Sequence, residues 1–189
     1  MISAMKTKLS VHLGLLLALS LPAGLAADEK KPDAEKEAVT DADRRDLRIK
    51  VDFRNPEAYT DCKDDYTSSK EEQVRIMGDL QRELRKHATL YLKEGERLEV
   101  VFNDIDLAGE IEPIQNGAGK RVLRDVTPPR LDIEFKIIGA DGTVKAEGKR
   151  MLKKLAYLST MNLNRTEERY YHDKKLIREW VEKEIGRRG

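Results

Sequence analysis

RLDIEFKIIGADGTVKAEG, residues 130–148, is the stretch that decides the fold. Apolar and polar side chains alternate from Arg130 to Ile138, which is the period of a strand that buries one of its faces. Gly139 to Gly142 follow as a short glycine-containing turn, and a second stretch of strand character begins at Thr143. The pattern predicts an antiparallel β-hairpin, which is the most secure tertiary contact that the sequence offers.

Two more strands are predicted upstream of the hairpin. Residues 47–53 alternate strictly, and residues 98–107 are richer in apolar side chains, which indicates a more central place in the sheet. Residues 109–129 hold three glycines and three prolines, so we expect a long excursion or a small irregular hairpin there. Pairing of these strands with the hairpin predicts a sheet of about four strands.

Two amphipathic helices are predicted from apolar stripes of helical spacing. A capping box, Ser68 with Glu71 or Ser69 with Glu72, precedes the first helix, and Gly95 is expected to end it. The second helix is expected to begin near Thr166. The element order is then β-α-β-β-β-α, which predicts an α+β domain with a mostly antiparallel sheet and both helices packed on one face. The first stripe comprises Val74, Met77, Leu80, Leu84, Ala88 and Tyr91, and the second comprises Tyr170, Leu176, Ile177, Trp180, Val181 and Ile185.

The N-terminal residues 1–26 have the pattern of an export signal. Lys6 and Lys8 precede an apolar run of about a dozen residues, which is shorter than the roughly 20 that span a bilayer. Small residues at Gly24 and Ala26 fit cleavage after Ala26. We therefore expect a signal peptide, a periplasmic protein and no transmembrane segment in the mature chain.

The rest of the chain divides into a charged leader, residues 27–46, and a single domain, residues 47–189. The leader has mixed charge, no aromatic residue and one large aliphatic side chain, Val39, so it is expected to be disordered. The whole chain has a formal net charge of +1 with 38% charged residues, a balance that argues against a nucleic-acid-binding protein. Cys62 is the single cysteine, so an internal disulfide is excluded.

The densest group of polar residues is NDIDLAGE, residues 103–110. Asp104 and Asp106 are two apart on a strand and are expected to share a face, with Leu98, Val100 and Phe102 preceding them on that face. Glu110 follows and supplies a third carboxylate. Three oxygen ligands of this kind suit a hard cation, so calcium or magnesium is the predicted occupant of a metal site.

A structural role for the same carboxylates is the interpretation that we favour. Acidic residues at strand ends often cap turns, so Asp104 and Asp106 are expected either to accept backbone N–H bonds in the loop after Gly109 or to pair with Arg130 or Arg121. Arg130 opens a strand and is the expected internal clamp. Catalysis ranks below both interpretations because the sequence shows no nucleophile elbow and no phosphate-binding glycine pattern.

The chain resembles a family of uncharacterised exported bacterial proteins, a domain of unknown function. The similarity lies in residues 51–61, in DIDLAGE at 104–110, in residues 129–135 and in the final helix around Trp180. The resemblance implies an envelope setting and no reaction. We therefore expect a non-enzymatic protein that binds an envelope partner through the long loop and the open sheet face, with a small-ligand or divalent-cation binder using Asp104, Asp106 and Glu110 as the alternative.

Overall fold

The computed structural model describes residues 47–114, 119–160 and 168–188, so the predicted signal peptide and leader lie outside the described residues. The described part forms six strands and two helices, and the second helix continues as a π-helical turn, Val181–Gly186. Short 3₁₀ turns lie at Pro56–Ala58 and Tyr157–Thr160. The elements are β1 (Ile49–Phe53), α1 (Lys70–Tyr91), β2 (Arg97–Asp106), β3 (Glu110–Pro113), β4 (Gly119–Val122), β5 (Arg130–Ile138), β6 (Val144–Lys153) and α2 (Tyr171–Trp180).

The main sheet has four strands in the order β1-β2-β5-β6 within the described residues. β1 runs parallel to β2, and the other neighbouring pairs are antiparallel. The β5–β6 hairpin is present as predicted, and the glycine-rich excursion contains a small antiparallel hairpin, β3–β4. The predicted α+β class with a mostly antiparallel sheet is confirmed.

One face of the sheet carries the core. Leu98, Val100 and Phe102 of β2 lie opposite Ile137, Phe135 and Ile133 of β5, and all six side chains are buried. The register shifts between Phe102 and Asp104, which leaves Asn103 as an extra residue on β2.

This β-bulge at Asn103 corrects the predicted orientation of the acidic residues. Beyond the bulge the odd-numbered Ile105 is buried opposite Leu131. Asp104 and Asp106 instead have partly exposed side chains and lie opposite Asp132 and Arg130 of β5 in the strand register. Asp104 and Asp106 therefore lie on the open face of the sheet, not on the face of Leu98, Val100 and Phe102. The extra residue reverses the alternation of side chains, which a strict period of two does not allow for.

Helix α1 begins as the capping box predicts and ends earlier than expected. The hydroxyl of Ser69 accepts a hydrogen bond from the backbone N–H of Glu72. The helix ends at Tyr91, whereas Gly95 adopts its positive φ of 75° later, in the turn into β2. The buried stripe is rotated from the predicted one: Val74 is 61% exposed, and the core positions are Ile76, Leu80, Leu84 and Ala88, each four residues apart.

Helix α2 and the following turn bury the predicted stripe on the same face of the sheet as α1. Trp180 packs edge-to-face on Phe135, with ring centroids 5.5 Å apart. Glu83 of α1 joins the two helices, because its carboxylate contacts Arg178 Nε at 2.7 Å and His87 Nε2 at 2.9 Å. Among the helices of the described ranges, none is both long enough and apolar enough to cross a membrane. No helix of the described residues covers the opposite face of the sheet, which carries the candidate site.

Candidate functional site

Four charged residues form a row across the end of the sheet. Asp106 of β2 lies opposite Arg130 of β5, and Arg130 lies opposite Lys153 of β6. Asp61 extends the row on the other side, because it forms a parallel bridge with Asp106. Its N–H donates to the carbonyl of Ile105 at 2.9 Å, and its own carbonyl accepts from Leu107 N–H at 3.0 Å. The row therefore has two acids followed by two bases.

A cleft of about 350 Å³ opens over this row. All four residues of the row line it, and its remaining wall comes from the Leu107–Glu110 turn and from Val126 to Pro128. Gly109 shapes that turn with a φ of 81°, and its N–H donates to the carbonyl of Thr127 at 2.9 Å. A Cβ at Gly109 would come within 2.4 Å of the carbonyl oxygen of Val122. The turn therefore needs glycine for both its dihedral angle and its space.

Asp104 lies beside the row and is held by Thr60 and Arg130. Its two carboxylate oxygens accept from the backbone N–H and the hydroxyl of Thr60, each at 2.7 Å. Arg130 Nη2 donates to Asp104 Oδ2 at 3.1 Å, and Arg130 Nε lies 3.5 Å from Asp106 Oδ2. Arg130 thus bridges the two carboxylates that the sequence places together, and it ties the loop at Thr60 to β2 and β5.

Arg121 of β4 anchors the small hairpin to the acidic end of the row. It makes a bidentate ion pair with Asp61, with both N–O distances at 2.9 Å, and donates to the carbonyls of Lys63, Ala108 and Gly109. Its side chain is only 13% exposed. The charge of Asp61 is therefore largely satisfied within the protein, and Asp61 is the partner that Arg121 takes rather than Asp104 or Asp106.

Asp106 and Lys153 are the members of the row with the fewest partners. The only contact of the Asp106 carboxylate among the described residues is the 3.5 Å approach of Arg130. Burial raises the pKa of the Asp106 carboxyl, and the neighbouring Asp61 and Asp104 raise it further, against the lowering effect of Arg130. Lys153 is exposed and contacts no carboxylate in the part of the chain that the structure describes. Asp106, which only Arg130 contacts, and Lys153 are thus the two groups of opposite sign in the row that are best placed to meet a ligand.

A buried acid of α2 holds the Leu107–Glu110 turn through a hydrogen bond to its backbone. Asp173 of α2 is 2% exposed, and its Oδ1 accepts the N–H of Ala108 at 3.0 Å. Burial raises the pKa of the Asp173 carboxyl to about 7. The nearby Cys62 is 1% exposed, and burial raises the pKa of its thiol to about 12, so it stays a protonated thiol at neutral pH.

The predicted metal ligands do not all face the same way. Glu110 lines the cleft with Asp106, but its carboxylate pairs with Arg124 at 3.1 Å, and Asp104 is held by Thr60 and Arg130. Within residues 47–114, 119–160 and 168–188, no three carboxylate, imidazole or thiol groups are placed to hold a metal ion together. Calcium or magnesium binding stays a prediction.

The two histidines of the described residues, His87 and His172, lie on different helices and have other partners. His87 of α1 pairs with Glu83, while His172 of α2 is buried, with its ring 4.6 Å from Tyr157 and 5.1 Å from Tyr171 by centroid distance. Burial lowers the pKa of His172 and favours its neutral form. With Cys62 protonated and buried, these residues do not form a nucleophile and base pair.

Sequence reasoning missed Asp61, Thr60 and Asp173 as parts of the site. The long separation of Asp61 from Arg121 leaves no local pattern that joins them. Asp173 did leave a signal, because it precedes Leu176, Ile177 and Trp180 on the apolar stripe of α2, where an acid is expected to be buried.

The fold and the site can be compared with known proteins. No curated protein and no solved structure matches the chain. The family model described as "Protein of unknown function (DUF3016)" matches residues 48–183, which is most of the chain and includes every residue of the row. The chain therefore belongs to this family.

Proposed function

We propose that this DUF3016 domain is a non-enzymatic binding protein of the bacterial cell envelope, and that the cleft over the charged row is its binding site. The observation that carries the proposal is the pair of opposite charges on the two sides of the cleft, Asp106 of β2 and Lys153 of β6. Such a cleft favours a ligand with both a cationic and an anionic group. A ligand of one sign would meet a like charge in the opposite half.

The spacing of the strands sets the size of that ligand. Asp106 and Lys153 are separated by two strand spacings, which is about 10 Å between their backbones. A basic and an acidic side chain two to three residues apart on an extended peptide are separated by roughly 7–10 Å. The cleft volume of about 350 Å³ is at the small end of binding sites and suits two side chains. We infer that the ligand is a peptide segment of an envelope protein.

Export is the second part of the proposal and rests on residues 1–26. Their basic start, short apolar run and small residues before residue 27 support cleavage and release into the periplasm. Fractionation of cells with intact-mass measurement of the recovered protein tests it. A chain recovered from the periplasm with Ala27 first is expected, and a cytosolic chain that retains residues 1–26 would refute the export proposal.

A pair of exposed valines allows a direct test of the cleft. Val126 lies at the rim of the cleft and is 83% exposed, while Val74 lies on α1 and is 61% exposed. A photo-crosslinking amino acid at Val126 is expected to capture an envelope protein in cells, and the same group at Val74 is expected not to capture it. Equal capture from both positions, or none from Val126, would remove the cleft as the site.

Charge reversal then connects the capture to the row. Lys153→Glu places an acid in the basic half without breaking an ion pair within the described residues, so capture from Val126 is expected to fall by at least tenfold. Lys86→Glu is the matched control, because Lys86 is an exposed lysine of α1, away from the cleft, and makes no ion pair within the described residues. Equal loss in both variants would indicate a nonspecific effect of charge.

A divalent cation is the second candidate ligand. The observation in its favour is that Asp61, Asp106 and Glu110 line one cleft, although Arg121 and Arg124 occupy two of these carboxylates. A cation site there predicts a higher melting temperature in calcium or magnesium than in chelator, and a smaller difference in Glu110→Gln. Asp104→Asn tests whether Asp104 leaves Arg130 to become a ligand of the cation. If it does, the variant is expected to show a smaller difference in melting temperature as well. An unchanged melting temperature in the wild type would exclude this candidate.

A further inference from the structure

We propose that β6 is a homotypic interaction surface, through which two copies of the domain pair antiparallel to form one continuous sheet. β6 ends the sheet, and β5 is the one strand that pairs with it among the described residues. None of its ten residues is buried. The opposite edge strand, β1, has five residues and buries Ile49. β6 is therefore the long open edge, whose outward N–H and C=O groups are available for pairing.

Symmetry restricts how two β6 strands can pair. Residues that lie opposite each other in an antiparallel pair share a face. A two-fold axis between two copies of one strand must therefore place one residue opposite the same residue of the second copy, and we name the axis by that residue. An axis through Gly148 brings residues 146–150 of one copy, which belong to the regular part of β6, against residues 150–146 of the other. Glu147 then lies opposite Lys149 of the second copy, and this ion pair forms twice. Val144 lies outside this regular pairing, because the register of β6 with β5 shifts between Ile137 and Ile138 and leaves Lys145 as an extra residue.

The neighbouring registers bring like charges together. An axis through Glu147 places this residue against itself, an axis through Lys149 places two lysines together, and an axis through Arg150 places two arginines together. Like charges directly opposite each other destabilise a pair of strands. An axis through Ala146 avoids this, but it leaves most of the strand beyond Gly148 unpaired. The register through Gly148 is therefore the one that sets opposite charges against each other at the centre of the strand.

The open face already has the charge pattern that this pairing extends. Lys149 Nζ lies 2.7 Å from Glu134 of β5, and Lys136 Nζ of β5 lies 3.5 Å from Glu147. In the paired sheet, each copy's Glu147 and Lys149 meet the opposite charges of the other copy, so acid and base alternate across the junction. Arg150 adds no repulsion on the other face, because Glu184 of its own chain holds it at 2.7 Å.

The interface is one strand wide and therefore small, so the dimer is expected to dissociate on dilution. This inference does not rest on the proposed function.

Disulfide formation between two different cysteine variants tests the register. Ala146→Cys and Arg150→Cys, both in the regular part of β6, place thiols opposite each other in the Gly148 register, about 5 Å apart at the Cα atoms. Two copies of the same variant are offset by four residues, which separates their thiols by about 13 Å. Oxidation is expected to give a disulfide-linked dimer in the mixture of the two variants and not in either variant alone. The native Cys62 does not interfere, because it is 1% exposed.

Light scattering after size exclusion, with a dilution series of the mature protein, measures the dimer itself. Glu147→Lys places lysines opposite each other twice and is expected to weaken the dimer at least tenfold. Glu99→Lys is the control, because it reverses an exposed acid on β2, on the same face of the sheet. A monomer at every concentration, with no mixed disulfide, would overturn the proposal. Disulfides that form equally in single-variant samples would overturn the register, and both results leave the Val126 capture experiment unaffected.

Discussion

Replacing Asp173 by asparagine tests the buried acid beneath the cleft. Burial raises the pKa of its carboxyl from 3.8 to about 7, which is a shift of about three pH units. At about 1.4 kcal/mol per unit, the shift corresponds to roughly 4 kcal/mol of folding free energy. Asparagine keeps a side-chain oxygen that can accept the N–H of Ala108 and removes the ionisation.

The sign of the effect follows from where the proton is bound. In the unfolded chain the carboxyl ionises near pH 3.8, whereas in the folded protein it keeps its proton up to about pH 7. The stabilisation from this extra proton is complete below about pH 4 and is lost as the pH rises through 7. The free energy of unfolding of the wild type is therefore expected to fall relative to Asp173→Asn by roughly 4 kcal/mol between about pH 4 and pH 8.

Urea unfolding at a series of pH values, followed by the fluorescence of the buried Trp180, measures this difference. Other groups with shifted pKa values, such as Asp106 and His172, titrate in both proteins and cancel in the comparison. The amide of asparagine adds an offset that does not change with pH. A difference in unfolding free energy that stays flat across this range would refute the assignment of Asp173 as a buried, protonated acid.

The remaining predictions concern the parts around the cleft. Gly109→Ala is expected to lower the free energy of unfolding by more than about 1 kcal/mol, because the position has a positive φ and no space for a Cβ. Gly78→Ala in α1 is expected to raise the free energy of unfolding by about 0.5–1 kcal/mol, and urea unfolding measures both changes. The Cys62 thiol is expected to react with a thiol reagent only after unfolding, and rapid reaction of the folded protein would contradict its burial. Lysine in Arg121→Lys cannot keep the bidentate pair with Asp61, so the amides of β3 and β4 are expected to lose protection from hydrogen exchange while those of β5 keep it. An equal loss of protection in all three strands would contradict the role of Arg121 as a local anchor.

The regular elements could be predicted because their patterns are local. Alternation located β1, β2 and β5, and the stripe of α2 was right at Ile177, Val181 and Ile185 because a helix that covers a sheet must bury one continuous face. The predicted stripe of α1 included Val74, whereas the structure buries Ile76, because both residues fit the spacing of an apolar helix face. Tertiary packing decides which of the two is buried, and composition alone does not determine it.

The candidate site was only partly predictable. Asp104, Asp106 and Arg130 were found together because they belong to adjacent strand ends, whereas Asp61 joins them through a loop whose path the sequence does not fix. The bulge at Asn103 did leave a trace. The apolar positions change from even numbers, ending at Phe102, to odd numbers, beginning at Ile105, and such a change marks an extra residue in a strand.

The extra residue at Asn103 makes the whole cleft depend on a single insertion in the chain. Deleting it would restore an unbroken ladder and rotate the end of β2 by half a turn. The two aspartates would then enter the apolar interior and the isoleucine between them would reach water. Removing this one uncharged residue would therefore take the acidic side chains out of the cleft while every ionisable group stays in the chain, although Arg54 and Glu134 would each lose a hydrogen bond.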